Sequence, residues 1–221
     1  MSHADLSLPS IPSVPARPTQ LLLLRHAEVE PAYQRVFGGR IDMNLSATGQ
    51  NQALALAQWL KRQPLDALYA SPMKRVQQTL APFLGGAGLA PTILDGLREI
   101  DFGDWTGLTW DQVAQRYGVS AFQWLDQLER GAIPKAETTA SYRGRIEACL
   151  RDLLQTHPGR NIGVACHGGV IRMILAILLE LPLPKTAGFE VDYASATNIA
   201  LLPHKTEVQF LNFTPWDEPG L

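Results

Sequence analysis

The sequence predicts an α/β fold, a three-layer α/β/α sandwich with a mostly parallel central sheet and a small helical lobe inserted over the carboxyl edge of that sheet. Four consecutive leucines, Leu21 to Leu24, are bounded by polar residues, which is typical of a strand buried on both faces of a parallel sheet. Strand-like and helix-like segments then alternate along the chain, as they do in βαβ units. Between about 97 and 138 glycines and aromatic residues interrupt this alternation, which indicates the inserted lobe.

The chain begins with a stretch whose composition differs from the rest. Residues 1–18 are rich in proline among small and polar residues, and such a composition cannot bury a core. We therefore expect residues 1–18 to form a disordered tail. Residues 19–221 are long enough for a single domain with a sizeable core, and we expect that domain to include the lobe at about 97–138.

Composition and charge exclude several classes of partner. The formal net charge of -2 provides no bulk attraction to nucleic acid or to an anionic membrane. The longest apolar run, Val170 to Leu183, contains Arg172 and Glu180 and is too short to span a bilayer. Cys149 and Cys166 do not make a disulfide framework, and the first residues lack the layout of a signal peptide. The sequence thus predicts a cytoplasmic protein with no nucleic-acid or membrane partner, and it leaves a homodimer open.

The first strand and the first helix come from the amino-terminal quarter of the chain. The strand lies within Gln20 to Glu28 and carries Arg25 and His26 towards its end. Ser46 occupies an N-cap position before leucines and alanines at helical spacing, which predicts a helix over Gly49 to Arg62.

The remaining elements follow the same two periodicities. Asp66 to Ala70 predicts a second strand, after which Ser71 predicts a helix cap with Pro72 at the first helical position. That helix is expected to end before Pro82, because proline cannot donate the backbone hydrogen bond that a helix interior requires. We expect further strands over Thr92–Leu94, Asn161–Cys166, Thr197–Leu202 and Val208–Phe213, and further helices over Trp110–Tyr117, Ala121–Arg130, Thr139–Thr156 and Gly168–Leu179.

The end of the first strand carries an arginine followed by a histidine. Open α/β sheets build ligand sites at the carboxyl ends of their strands, which is where Arg25 and His26 lie. An arginine can hold a phosphoryl oxygen bidentately while a neighbouring imidazole attacks phosphorus or relays a proton. A histidine at a strand end can equally be structural, so this dipeptide alone does not decide the function.

A second histidine follows another predicted strand. Cys166, His167, Gly168 and Gly169 link that strand to a helix. Glycines at a helix start let backbone N–H groups approach an anion, and the helix dipole favours negative charge there. We therefore expect His167 and the Gly168 backbone to lie beside the same crevice as His26.

Arg75 and Glu99 complete the set of candidate catalytic residues. Arg75 lies in the first turn of the helix predicted after Ser71, close enough to the strand end to reach the crevice. Glu99 follows the third strand, where a carboxyl group could act as a general acid. Asp101 and Asp104 compete for that role on spacing alone, and Arg75 is equally compatible with an exposed position on its helix.

Five blocks of sequence occur in a characteristic order: Leu23-Leu24-Arg25-His26-Ala27-Glu28, Asn44-Leu45-Ser46-Ala47-Thr48-Gly49, Ser71-Pro72-Met73-Lys74-Arg75, Leu97-Arg98-Glu99-Ile100-Asp101-Phe102-Gly103-Asp104-Trp105-Thr106-Gly107 and Cys166-His167-Gly168-Gly169. Together they resemble the histidine phosphatase superfamily and, within it, the phosphoglycerate mutase-like branch. The resemblance spans Leu21 to about Leu202. The segment Phe102 to Thr109 is similar to α-ribazole phosphatases and broad-specificity phosphatases, which is a weak guide to the substrate.

The resemblance implies a mechanism and assigns its residues. His26 would attack phosphorus and become a phosphohistidine, while Arg25, Arg75 and His167 would form a positive pocket around the equatorial oxygens. Glu99 would protonate the leaving alkoxide and then deprotonate the attacking water. The attacking nitrogen of His26 must be neutral, so its other ring nitrogen should donate to a carbonyl. No metal or other cofactor is expected, because the arginines supply positive charge and would repel a cation.

The chain departs from the family pattern at four positions. Ala27, Val29 and Ala32 stand where the family usually has glycine, threonine and asparagine. Cys166 stands where serine commonly precedes the second histidine. These replacements concern how tightly phosphate is held and which ester is chosen, rather than the class of reaction.

Hydrolysis of a small-molecule phosphate monoester is therefore the predicted function, and three alternatives stay open. A phosphoglycerate mutase-type transfer is disfavoured because the lobe from Trp105 to Thr138 is aromatic and poor in basic residues. Cys166 begins a Cys-x5-Arg pattern that ends at Arg172, as in the phosphate loop of cysteine-dependent phosphatases. The third alternative is a phosphate-ligand binding protein without turnover. Tyr33 and Arg40, on the loop after the first strand, are candidate contacts for the leaving group.

Overall fold

A six-stranded sheet forms the centre of the molecule. The structure is a computed structural model that describes residues 17–87 and 89–217, so residues 1–16 of the predicted tail lie outside the described residues. The strands are β1 (Thr19–Arg25), β2 (Ala67–Ala70), β3 (Thr92–Ile93), β4 (Asn161–Cys166), β5 (Ala196–Leu202) and β6 (Lys205–Phe213). Their order across the sheet is β3-β2-β4-β1-β5-β6. Strands β1 to β4 are mutually parallel, β5 pairs with β1 in antiparallel orientation, and β6 pairs with β5 in antiparallel orientation, which confirms the predicted mostly parallel sheet.

Six α-helices accompany the sheet in the described part of the chain. They are α1 (Ala47–Leu60), α2 (Lys74–Ala87), α3 (Trp110–Tyr117), α4 (Trp124–Glu129), α5 (Thr139–Thr156) and α6 (Gly168–Leu178). Helices α3 and α5 have the predicted bounds, and Ser46 caps α1 as expected, since its side chain accepts a hydrogen bond from the Gly49 amide. The helix predicted over Ala121 to Arg130 is divided into a 3-10 turn, Ala121–Gln123, and the short helix α4.

The four leucines of β1 explain the three layers. Leu21 and Leu23 face one side of the sheet and belong to a core shared with α5 and α6. Leu22 and Leu24 face the other side and belong to a core shared with α1 and α2. Each of the four is at most 6% exposed, because helices cover both faces of the strand. The predicted three-layer α/β/α fold is therefore confirmed.

Helix α2 differs from its prediction at both ends. It begins at Lys74 rather than at Pro72, because the Met73 carbonyl accepts the first helical hydrogen bonds, from the amides of Val76 and Gln77. It also continues through Pro82 instead of ending before it. Leu80 and Phe83 on either side of Pro82 are buried in the core, and burying two large apolar side chains offsets the missing hydrogen bond.

The segment between β3 and α5 has short helical elements and no strand in its described residues. It contains α3, α4 and three 3-10 turns, Asp95–Leu97, Gly103–Trp105 and Ala121–Gln123. Its apolar side chains join the core on the α5 and α6 side of the sheet. No helix in the described ranges is both long and apolar enough to cross a membrane.

Candidate active site

A cavity of about 350 Å³ lies at the carboxyl ends of the central parallel strands. Arg25 at the end of β1 pairs in register with Cys166 at the end of β4. His26 and His167 therefore follow on adjacent strands, and their ring centroids are 5.3 Å apart. Six of the sequence-predicted residues line this cavity: Arg25, His26, Tyr33, Arg75, Glu99 and Gly168.

The His26 ring is held in one orientation. Its Nδ1 lies 2.8 Å from the backbone oxygen of Ala27, to which it donates a hydrogen bond, as the resemblance implied. Burial, followed by the charges of Arg75 and Arg25, lowers the pKa of His26 well below its ordinary value of 6.5. A neutral imidazole with its proton on Nδ1 leaves a lone pair on Nε2, which is the form a nucleophilic histidine needs.

Arg75 is fixed by three hydrogen bonds from its guanidinium. Nη1 donates to the Ile41 carbonyl and Nη2 to the Gly39 carbonyl, both at 2.9 Å, and Nε donates to Nδ1 of His167 at 3.2 Å. Gly39 has a φ of +46°, a left-handed conformation that glycine adopts without strain, and this turn contributes to aiming the loop carbonyls at the arginine. Burial lowers the pKa of Arg75 to about 10, so it remains charged at neutral pH.

His167 is fully buried and is not among the residues that line the cavity, and both of its ring nitrogens have hydrogen-bond partners. Its Nδ1 accepts from Arg75, so Nε2 carries the proton and donates to Ser71 Oγ at 2.8 Å. Burial, and then the Arg75 charge, lower the pKa of His167 well below 6.5. The neutral imidazole therefore adds no positive charge of its own, and among these groups the charge of the pocket comes from Arg25 and Arg75.

Arg25 is packed against a segment that the sequence did not point to. Its Nη1 donates to the Val191 carbonyl, and its guanidinium carbon lies 4.0 Å from the ring centroid of Tyr193. Val191 and Tyr193 lie between a 3-10 turn, Leu183–Gly188, and β5, where no periodicity or motif signalled a function. The buried Nε of Arg25 has no hydrogen-bond partner among the described residues. A Cβ at Gly168 would lie 3.4 Å from that Nε, so the glycine keeps the space beside it open.

The Glu99 carboxylate lies at the amino terminus of α6. Oε2 accepts from the Gly169 amide at 3.1 Å and Oε1 accepts from the Ile100 amide at 3.0 Å. A Cβ at Gly169 would lie 2.5 Å from Oε1, so this close approach requires glycine. The competing carboxylates are engaged elsewhere: Asp101 accepts from the Gly103 amide and Asp104 pairs with Lys135. Neither of them lines the cavity, so position favours Glu99.

Cys166, the alternative nucleophile, and Arg40, a candidate contact with the leaving group, both lie outside the cavity lining. Cys166 is fully buried in the core and does not line the cavity, and burial raises the pKa of its thiol far above the ordinary value. That environment is the opposite of the one that makes a cysteine nucleophilic.

Arg40 does not line the cavity either, because its guanidinium reaches Glu137 at 3.5 Å. Its position therefore gives no support to a contact with the leaving group.

The positions that depart from the family pattern lie in different surroundings. Ala27 is buried, and its amide donates to Thr79 Oγ1 at 2.9 Å. Val29 lines the cavity, whereas Ala32 is exposed and does not. The replacement at 29 therefore lies in the cavity wall, and the one at 32 lies outside it.

Folding stability is expected to fall as the pH drops from 6.5 towards 5. His26 and His167 stay neutral in the folded protein, since the pKa of each lies well below 6.5, whereas the unfolded chain takes up protons on both. Stability is thus retained above pH 6.5 and lost below it, with a slope of about 1.4 kcal/mol per pH unit for each histidine. Urea denaturation at a series of pH values measures this slope.

The control for this measurement is His204, which is exposed on the turn between β5 and β6. His26→Asn is expected to reduce the slope of the free energy of unfolding against pH by the contribution of one histidine, about 1.4 kcal/mol per pH unit. His204→Asn is expected to leave that slope unchanged. A free energy of unfolding that stays constant between pH 6.5 and 5 would contradict the neutral state of the two buried imidazoles.

Comparisons with known proteins identify a family match, sequence relatives and structures with the same fold. A family model described as the histidine phosphatase superfamily (branch 1) matches residues 21–214. Phosphoserine phosphatase 1 of Hydrogenobacter thermophilus is 30% identical over 195 residues, which cover 88% of this chain and 92% of that protein. Glucosyl-3-phosphoglycerate phosphatase of Mycobacterium tuberculosis is 29% identical over 176 residues, covering 76% and 78%. The crystal structure of the α-ribazole phosphatase from Shigella flexneri shares the fold, with a TM-score of 0.76 at 24% identity over 87% of this chain and 96% of that one.

Proposed function

The chain belongs to the histidine phosphatase superfamily (branch 1) and is a phosphomonoester hydrolase of that superfamily, and we propose that it transfers the phosphoryl group first to His26 and then to water. One observation carries the proposal. A neutral imidazole, with its proton held on Nδ1 by Ala27, lies in one cavity with two charged arginines, Arg25 and Arg75. The relatives named above are phosphatases of small phosphate esters, and we propose that the substrate here is also a small ester.

In the first step Nε2 of His26 attacks phosphorus. The N–P bond forms as the ester P–O bond breaks, and Glu99 gives its proton to the departing oxygen. Arg25 and Arg75 stabilise the charge on the equatorial oxygens, with the unpaired Nε–H of Arg25 as one available donor. In the second step Glu99 takes a proton from water, whose oxygen displaces the histidine and releases inorganic phosphate.

His167 acts on this chemistry through its neighbours. Its Nδ1 accepts from Arg75 and its Nε2 donates to Ser71, so it fixes the direction of the Arg75 guanidinium. Because both ring nitrogens are engaged, phosphate contact by His167 requires that one of these two hydrogen bonds be exchanged. We propose that His167 positions Arg75 and becomes a direct donor to phosphate when the anion draws a proton onto its ring.

In other phosphoryl-transfer sites a metal ion stabilises the negative charge of the transition state, and here the positive charge of the arginines would do so. Two guanidiniums in one cavity stabilise an anion and repel a cation. We therefore propose a metal-independent reaction. We also propose a cytoplasmic location, because Cys149 and Cys166 are both free and buried, as is usual where thiols stay reduced.

The experiment that tests the function is capture of the phosphoenzyme. The protein is mixed with a ³²P-labelled phosphate ester in the presence of a metal chelator, quenched with alkali and then divided between acid and base. A phosphohistidine is expected to lose its label in acid and keep it in base. His26→Ala is expected to carry no label, whereas Cys166→Ala is expected to keep both label and activity because its side chain lies in the core. Label on His26→Ala, or activity that needs added magnesium, would refute the proposal.

A further inference from the structure

The cavity has two chemically different walls. Its charged lining residues, among those described, are Arg25 at the end of β1, Arg75 on α2, Arg172 on α6, and Glu99 in the irregular chain after β3. A second wall comes from residues 102–125, which lie between β3 and α5. They contribute six lining residues without a single charge: Phe102, Trp110, Ala121, Phe122, Trp124 and Leu125.

Aromatic contacts hold this uncharged wall together. The rings of Trp110 and Phe122 meet edge to face with centroids 5.3 Å apart, and those of Phe102 and Trp124 do so at 5.4 Å. The turn that carries Phe122 is itself fixed by a capping box between Ser120 and Gln123. The wall is therefore a preorganised apolar surface rather than a loose loop.

Phe122 stands out because it lines the cavity and yet is 75% exposed. A large aromatic side chain left in water beside a binding cavity loses the burial that normally stabilises it. Exposed apolar surface at the rim of a polar site is typical of a place where a ligand completes the packing. The chemistry of that ligand follows from the groups around it.

We infer that the site selects phosphate monoesters of uncharged alcohols that carry an apolar aromatic group, with Phe122 as a specificity-determining contact for that group. The inference rests on the proposed phosphatase function and adds the class of leaving group to it. An alcohol with an ammonium group would face Arg25, Arg75 and Arg172 and would find Glu99 as its one carboxylate among the described lining residues. Such a leaving group is therefore disfavoured, although relatives act on phosphoserine.

A leaving group with a carboxylate is the competing class, because the positively charged Arg172 also lines the cavity. Its Nη1 already donates to the carbonyls of Thr186 and Phe189, so its guanidinium anchors the segment before β5. Burial is the largest cause that lowers the pKa of Arg172, and the neighbouring Arg25 adds to it. An arginine that is already engaged by backbone oxygens has fewer donors left for substrate, which favours the aromatic class over the carboxylate class.

Binding of phosphonates tests the inference separately from turnover, because their P–C bond cannot be hydrolysed by this reaction. We would measure dissociation constants of 2-phenylethylphosphonate, 2-aminoethylphosphonate and 3-phosphonopropanoate by calorimetry. The phenyl compound is expected to bind at least about 10-fold more tightly than the amino compound, which is the range that one apolar group provides in a fitted pocket. Phe122→Ala is expected to reduce this preference by about 3- to 10-fold.

The control variant is Leu54→Ala, which removes another exposed apolar side chain, on α1 and outside the cavity, and should leave the preference unchanged. Equal affinities, or tighter binding of the amino compound, would overturn the inference. Tightest binding of 3-phosphonopropanoate would also overturn it and would assign Arg172 to a carboxylate. Preferential binding of the phenyl compound without hydrolysis of 2-phenylethyl phosphate would support the inference and refute the proposed function, so the two failures are distinguishable.

Discussion

Replacing His26 with alanine is expected to lower kcat/KM by about 10⁴-fold or more for every phosphate ester, since a nucleophile acts as a unit with its surroundings and little of its effect survives its loss. The effect should not depend on the leaving group, because without Nε2 no phosphoenzyme can form from any ester. Binding of inorganic phosphate should change by only a few fold, since Arg25 and Arg75 are left in place.

Steady-state kinetics with one alkyl and one aryl ester, together with calorimetry of phosphate binding, measure these effects. The matched control is His204→Ala, which removes an exposed imidazole on the turn between β5 and β6 and should leave kcat/KM unchanged. The assignment of His26 as nucleophile is wrong if the alanine variant keeps more than about a tenth of the wild-type kcat/KM while binding phosphate normally.

Glu99→Gln is expected to have an effect that depends on the leaving group. The amide keeps the shape of the carboxylate and one acceptor for the backbone amides of Ile100 and Gly169, but it cannot donate and recover a proton at physiological pH. For an alkyl phosphate kcat/KM should fall by about 10²- to 10⁴-fold. For 4-nitrophenyl phosphate kcat/KM should fall far less, because nitrophenolate leaves without protonation.

A second signature follows from the role of Glu99 as a base. With 4-nitrophenyl phosphate, Glu99→Gln should show a burst of nitrophenolate equal to the enzyme concentration, because dephosphorylation becomes slow when no base activates water. Asp101→Asn serves as the control, because Asp101 is only two residues from Glu99 in the chain. Its carboxylate accepts a hydrogen bond from the Gly103 amide, and Asp101 does not line the cavity. Equal losses of kcat/KM for both esters, or a larger loss in Asp101→Asn, would remove Glu99 from the proton transfer.

The order of apolar residues and helix caps along the sequence was sufficient to predict helices that are capped by neighbouring residues and strands that are fully buried. The bounds of β4, α3 and α5 agree with their predictions, because apolar periodicity and caps such as Thr109 with Gln112 act within a few residues. The start of α2 was wrong for the opposite reason. Ser71 has the sequence signature of a cap, yet its hydroxyl also bonds to His167, 96 residues later, and the helix begins beyond it.

The same distinction applies to the site. Residues that follow predicted strands, such as His26, could be placed in one crevice because parallel strands end at the same edge of a sheet. Tyr193 could not, because it lies in an irregular segment and reaches Arg25 only through the packing of distant parts of the chain. Arg40 lies on the expected loop, but its long side chain turns to Glu137 instead of the cavity. Side-chain direction on loops depends on partners that sequence spacing does not reveal.

The central place of β1 has a consequence for biosynthesis. Gln20 pairs with Asn161 on one side and with Ala200 on the other, so β1 acquires its two neighbours only after β4 and β5 have been synthesised. At about 5 to 20 residues per second, roughly 10 to 35 s separate the synthesis of β1 from that of β5. During that interval four adjacent leucines and two unpaired strand edges are available to other chains or to chaperones. A substitution at Leu201 of β5, which pairs with Thr19 at the end of β1 remote from Arg25, is therefore a means of delaying the appearance of activity without altering the kinetics of the finished enzyme.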